Sequence, residues 1–112
     1  MKKVKKVVVL SEVAHDLNNG KDFYDQNEPG IGDYFWDSLM ADMKSLIIYS
    51  GIHPIKDGYY RMPAKRFPYS IYYTTEKEIA YVIAVLPMRK DPLWIEDRLK
   101  DRSRLKSCQN DL

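Results

Sequence analysis

The sequence predicts an α+β domain from three features. Apolar residues recur at helical spacing through the first half of the chain, after a short β-branched run. From Tyr59 the period changes to two and holds for three consecutive segments. A proline-led helix start, Asp91-Pro92, closes the pattern. The expected order is an N-terminal strand, an α-helical hairpin, a three-stranded antiparallel meander and a C-terminal helix, with four strands in the sheet. At 112 residues the chain is sized for one domain, expected over residues 1–105 with a flexible tail at 106–112.

Val4 to Leu10 is β-branched and flanked by lysines that discourage pairing with other chains, so it reads as a strand toward a sheet edge. Ser11 is placed to cap a helix whose stripe is Val13, Leu17, Gly20 and Tyr24, ending near Gln26. Asn27-Glu28-Pro29-Gly30 with Gly32 is a turn cluster. A second helix follows on Phe35, Leu39, Met43, Leu46 and Ile47, and Gly51 suits its left-handed C-terminal residue. So short a link predicts an antiparallel pair.

After Pro54 the alternation begins. Tyr59 to Pro63 reads as a short strand, and the next strand sets Phe67, Tyr69, Ile71 and Tyr73 on one face against Ser70, Tyr72 and Thr74 on the other. Glu76-Lys77-Glu78 is the hairpin turn. Ile79 to Leu86 is apolar on both faces, as a covered central strand requires. The last helix is expected from Pro92 to about Arg104, and the polar stretch beyond Lys106 should fray.

Composition narrows the function classes. With 45% hydrophobic and 30% charged residues the chain is expected to be globular. No apolar run reaches membrane-spanning length and Met1-Lys2-Lys3 does not open a signal peptide, so a cytoplasmic location is expected. The lone Cys108 forms no internal disulfide, and His15 and His53 are too far apart for a metal pair. No metal or other cofactor is expected, and no glycine-rich phosphate loop or placed carboxylate pair is present. The net charge of +2 conceals a division, because Ser11 to Asp42 holds eight acids against the single base Lys21. The basic remainder suits an anionic partner, while charge runs also occur as plain solvated faces.

Over nearly its whole length the chain resembles the RelE/ParE superfamily of bacterial type II toxins. The likeness is carried by Phe35-Trp36-Asp37-Ser38-Leu39, Gly51-Ile52-His53-Pro54, Tyr60-Arg61-Met62, Lys65-Arg66-Phe67-Pro68-Tyr69, Ile71-Tyr72-Tyr73, Ala84-Val85-Leu86 and Arg89-Lys90-Asp91-Pro92-Leu93-Trp94-Ile95. It runs from Val4 to about Leu99. The resemblance implies a toxin neutralised by a cognate antitoxin, with no small-molecule substrate. RelE-like members bind the ribosome and cut messenger RNA, whereas ParE-like members are associated with DNA gyrase.

For the nuclease reading, Arg89, Arg66 and Lys65 are the residues expected to meet the phosphate, since fixed positive charge stabilises a developing anion without a metal. Arg89, directly after the central strand, resembles the family arginine there. Arg61, Lys90, Arg98 and Arg102, with Arg104, are the bases expected to bind a target; for Arg98 and Arg102 ordinary helix-surface pairing is the plain alternative. Two departures weigh against cleavage. The strand arginine expected of RelE-like nucleases falls at Ser70, and the tyrosine they carry near the last segment is replaced around Trp94-Ile95. Tyr60, Tyr69, Tyr72 and Tyr73 are read as packing residues, because an unshifted phenol is a poor base at neutral pH. The expectation is therefore a ParE-like inhibitor of gyrase, with a RelE-like ribosome-dependent mRNA endoribonuclease as the alternative and a non-toxic antitoxin-binding module as the second.

Overall fold

The computed structural model describes residues 4–103 and 109–112; Arg104 and Cys108 lie outside the described residues. The strands are β1 (Lys6–Leu10), β2 (Ile55–Lys56), β3 (Tyr59–Pro63), β4 (Tyr69–Glu76), β5 (Ile79–Pro87) and β6 (Gln109–Asp111). The helices are α1 (Glu12–Asn27), α2 (Ile31–Lys44), the single turn α3 (Leu46–Tyr49) and α4 (Pro92–Arg102). The α+β class, the helical hairpin, the β3-β4-β5 meander and the terminal helix are as the sequence predicts.

The sheet is larger than expected. It has six strands in the order β2-β3-β4-β5-β1-β6, with β1 parallel to β5 and all other pairs antiparallel. One added strand, β2, forms a tight hairpin with β3 through Asp57 and Gly58, at φ 55° and 85°. That pair of positive angles matches the twist of the strands it joins, and aspartate-glycine is the dipeptide that adopts it most readily. The other, β6, comes from the tail expected to fray, and it makes β1 an inner strand. Its backbone pairs with Val8, Val9 and Leu10, and the Leu112 amide donates to the Val7 carbonyl at 2.9 Å. Backbone pairing needs no apolar pattern, so this strand left no trace in the hydrophobic periodicity.

The helical hairpin covers one face of the sheet. Phe35, Leu39, Met43 and Leu46 are fully buried there with Leu10, Ile71 and Tyr73. Close approach of the helices depends on Gly20, since a methyl group at that position would sit 2.4 Å from Phe35 Cζ. The second helix breaks at Ser45 before the short α3, and Gly51, at φ 90°, ends it as expected. The turn between α1 and α2 is held by Asp25, whose Oδ1 accepts from the Gly32 amide at 2.7 Å and the Gly30 amide at 3.2 Å. The Gly32 bond first, with Lys21 adding, holds its carboxyl below the ordinary range.

The opposite face carries α4. Thr74 lines the cleft beneath it, whereas Tyr69, Ile71 and Tyr73, of the other strand parity, face the hairpin. Asp91 caps α4 by accepting from the Leu93 amide at 2.7 Å. Covered on both faces, β5 buries Val82 to Leu86 without interruption.

Candidate functional site

Halfway along β5 the ladder changes. Tyr72 faces Ala84 and Tyr73 faces Val82, so Ile83 is an extra residue in β5 and forms a bulge. The pairing of β1 with β5 stops at the same place, its last partners being Val9 and Val82. Beyond it, two side chains stand where a strand neighbour would. Asp16 of α1 accepts from the Val85 amide at 2.9 Å, and Arg102 of α4 donates to the Ile83 carbonyl at 3.0 Å. The two join at 2.7 and 2.8 Å in a buried ion pair. Burial of both charges is tolerable because each also satisfies a backbone group.

This junction brings α1 and α4 together across the edge of β5 and leaves a groove of about 280 Å³ between them. Asn19 and Phe23 come from α1, Val85 to Pro87 form the floor, and Arg89, Lys90, Trp94 and Arg98 complete the walls with Tyr69. The Arg89 guanidinium lies 4.5 Å from the centre of the Phe23 ring. Lys90 and Arg98 lie 5.1 and 4.7 Å from the centre of Trp94. Each cation thus lies against an aromatic ring, with Arg89 and Lys90 exposed and Arg98 half-buried. Among the described residues none of the three forms an ion pair.

The groups beside Arg89 are unsuited to proton transfer near neutrality. Burial pushes the Tyr69 phenol above its ordinary value and outweighs the opposing pull of Arg89. Burial raises Tyr24 in the same way. Asp16, the carboxylate lining the groove, is held by Arg102 and Val85. His53 sits elsewhere, facing the Tyr73 hydroxyl, and is not among the groove residues.

The other expected site residues are distributed unevenly. Lys65 and Arg66 are exposed on the loop before β4, outside the groove but at the same end of the sheet, since the Met88 amide donates to the Pro68 carbonyl at 2.9 Å. That loop is anchored to α2 by the Lys65 amide, which donates to buried Asp42 at 3.0 Å. Arg61 is half-buried on β3 opposite Tyr72, away from the groove. Arg102, expected on a target-binding surface, is 3% exposed, and its guanidinium is engaged by Asp16 and Ile83. Its charge is directed inward because β5 lacks a strand neighbour there. Ser70 is buried with no hydrogen-bond partner for its hydroxyl, so the position expected to carry an arginine in a nuclease lies inside a packed layer.

Sequence reasoning did not single out Phe23, Asn19 or Asp16 as site residues. Phe23 is an aromatic residue off the apolar stripe of α1, and Asp16 is an acid within that stripe, between Val13 and Leu17. Both irregularities were readable. Among the described residues no group of three or more histidine, cysteine or acidic side chains is placed to hold a metal, and no helix is long and apolar enough to cross a membrane.

No protein-family model and no curated protein matches this chain. Among solved structures it is similar to a chain described as the chromosomal ParDE TA system from P. aeruginosa, with a TM-score of 0.67 and 15% identity. The match covers 75% of this chain and 96% of the other. At that identity the likeness concerns the fold alone: this chain is folded like a chain of that ParDE system.

Proposed function

We propose that this protein is the toxin of a type II toxin–antitoxin pair, that it acts by a ParE-like occupation of DNA gyrase, and that a cognate antitoxin neutralises it. The fold supports the toxin class. Binding rather than cleavage is favoured by one observation: Arg89, Lys90 and Arg98 line a groove in which the neighbouring phenols are pushed up and Asp16 is locked in an ion pair. A metal-free ribonuclease needs a group that gains and loses a proton near the working pH. Arg89 is oriented by Phe23 for binding an anionic surface without one.

The alternative, a RelE-like ribosome-dependent endoribonuclease, draws on a different observation. The loop carrying Lys65 and Arg66 is hydrogen-bonded to the segment leading to Arg89, so these bases share one end of the sheet. There the ribosome would supply the missing proton-transfer group.

Expression of the chain without an antitoxin, followed by labelled thymidine and labelled methionine incorporation, separates the readings. Early arrest of DNA synthesis with translation intact supports gyrase. Early translation arrest with cleaved transcripts, lost in Arg89→Ala, overturns the gyrase reading in favour of the ribosome. Unimpaired growth overturns both and leaves a non-toxic interaction module.

A further inference from the structure

The groove holding Arg89 does not end at Trp94. A second hollow of about 440 Å³ continues between the first turns of α1 and the last turns of α4, and Trp94 and Arg98 line both. On α1 the positions Glu12, His15, Asn19 and Phe23 fall along one helical face. On α4 the opposite wall is Trp94, Asp97, Arg98 and Asp101. The buried Asp16–Arg102 pair joins the two walls underneath. The trough therefore runs the length of α1 from Glu12 to Phe23, about 16 Å at the helical rise per residue.

Its charge is divided. One end presents Arg89 and Lys90, Arg98 stands near the middle, and the other end presents Glu12, Asp97 and Asp101. None of these six forms an ion pair among the described residues. Phe23, which lines the basic end, is 41% exposed, and Met88 and Leu93, the chain neighbours of Arg89 and Trp94, are exposed by 38 and 69%.

We propose that this trough binds a peptide segment of a partner protein whose own charge is split: acidic where it meets Arg89 and Lys90, basic where it meets Glu12, Asp97 and Asp101, with an apolar residue between them or at the acidic end. About five extended residues span its length. Charge complementarity selects this occupant over a nucleic-acid strand. A uniformly anionic strand along the trough meets repulsion from the three carboxylates, and like charges face to face are costly at an interface. Exposed Phe23 at the basic end likewise suits an aliphatic side chain better than a phosphate. The inference deepens the toxin reading by giving the chemistry of a partner segment, and its test has no growth readout, so the two fail separately.

The test uses the full chain and fluorescence anisotropy with four labelled probes. These are a split-charge peptide with two glutamates, an apolar spacer and two lysines; a peptide of the same composition with alternating charges; an all-glutamate peptide; and a single-stranded oligodeoxynucleotide. The split-charge peptide is expected to bind about tenfold more tightly than its shuffled counterpart, and more tightly than the other two. In the triple variant Glu12→Lys, Asp97→Lys, Asp101→Lys the preference should pass to the all-glutamate peptide, with circular dichroism confirming the fold. Equal binding of split and shuffled peptides by the natural chain overturns the proposal. So does tighter binding of the oligonucleotide or the all-acidic peptide, or no binding of any probe, whatever the variant does.

Discussion

Arg102 and Asp16, 86 residues apart, meet in a buried two-pronged ion pair that also satisfies the Ile83 carbonyl and the Val85 amide. Removing one partner strands the other in the core. Asp16→Ala or Arg102→Met is expected to destabilise by about 3–5 kcal/mol in urea unfolding. The double variant Asp16→Leu/Arg102→Met removes both charges and should recover part of that loss, but not all, because two backbone groups stay unpaired at about 1–3 kcal/mol each. Simple additivity of the two single losses would show that the pair is not coupled.

Gly20 and Gly32 should answer differently to alanine. At Gly20 the new methyl meets the Phe35 ring at 2.4 and 2.5 Å, and that ring is hemmed in by Tyr24, Phe67 and Tyr69. Overpacking of about 1–3 kcal/mol is expected, exceeding the helix propensity that alanine brings. At Gly32 the clash is with the Asp25 carboxylate, the end of a flexible side chain. A smaller fall in melting temperature for Gly32→Ala is the checkable outcome.

Asp42→Ala should loosen the loop that carries Lys65 and Arg66. The buried carboxylate is the acceptor for the Lys65 amide. Its loss leaves that amide without its partner, at about 1–3 kcal/mol. Hydrogen exchange at Lys65 should accelerate well beyond any change in the amides of β5. Uniform acceleration throughout the chain would contradict a local role.

His53 sets a pH dependence. Burial holds its imidazole below the ordinary value of 6.5, and its Nδ1 faces the Tyr73 hydroxyl, which also accepts from the Gly51 amide at 2.9 Å. The unfolded chain therefore binds the proton more readily than the folded one. Stability from this group is fully present above about pH 6.5 and declines as the pH falls below it. Unfolding midpoints measured between pH 7.5 and 5 should fall less steeply in His53→Gln than in the natural chain.

Arg89→Ala should separate function from stability. The side chain is exposed and contributes one cation–π contact to Phe23. A stability change below about 1 kcal/mol is expected, alongside loss of growth arrest on expression. Arg89→Lys retains charge and should keep part of the effect. Undiminished arrest by soluble Arg89→Ala protein would remove Arg89 from the target-binding surface.

The legible parts of this molecule were those where one segment decides its own structure. The apolar run of β5 announced a strand covered on both faces, Asp91-Pro92 announced the start of α4, and Gly51 announced the end of the helical turn before it. Asp57-Gly58 is an equally local signal for the β2–β3 hairpin, but a flanking strand of two residues is too short to show an alternating pattern. Arg102 was not legible in the same way. On α4 it is one base among several, and only the bulge at Ile83 and the end of β1 pairing make a buried guanidinium necessary there. The groove was half legible: Arg89, Lys90 and Arg98 follow one another near α4, but Phe23, which orients Arg89, comes from a helix 66 positions earlier in the chain.

The closure of β5 by side chains also decides what kind of selectivity the trough above it can have. A bare strand edge accepts any extended chain through its repeating amides and carbonyls, largely indifferent to sequence. Here the Ile83 carbonyl and the Val85 amide already have partners, so that indiscriminate grip is withheld. Whatever enters must be recognised by its charges and its shape, and a cognate partner can be told from a foreign one by a few side chains.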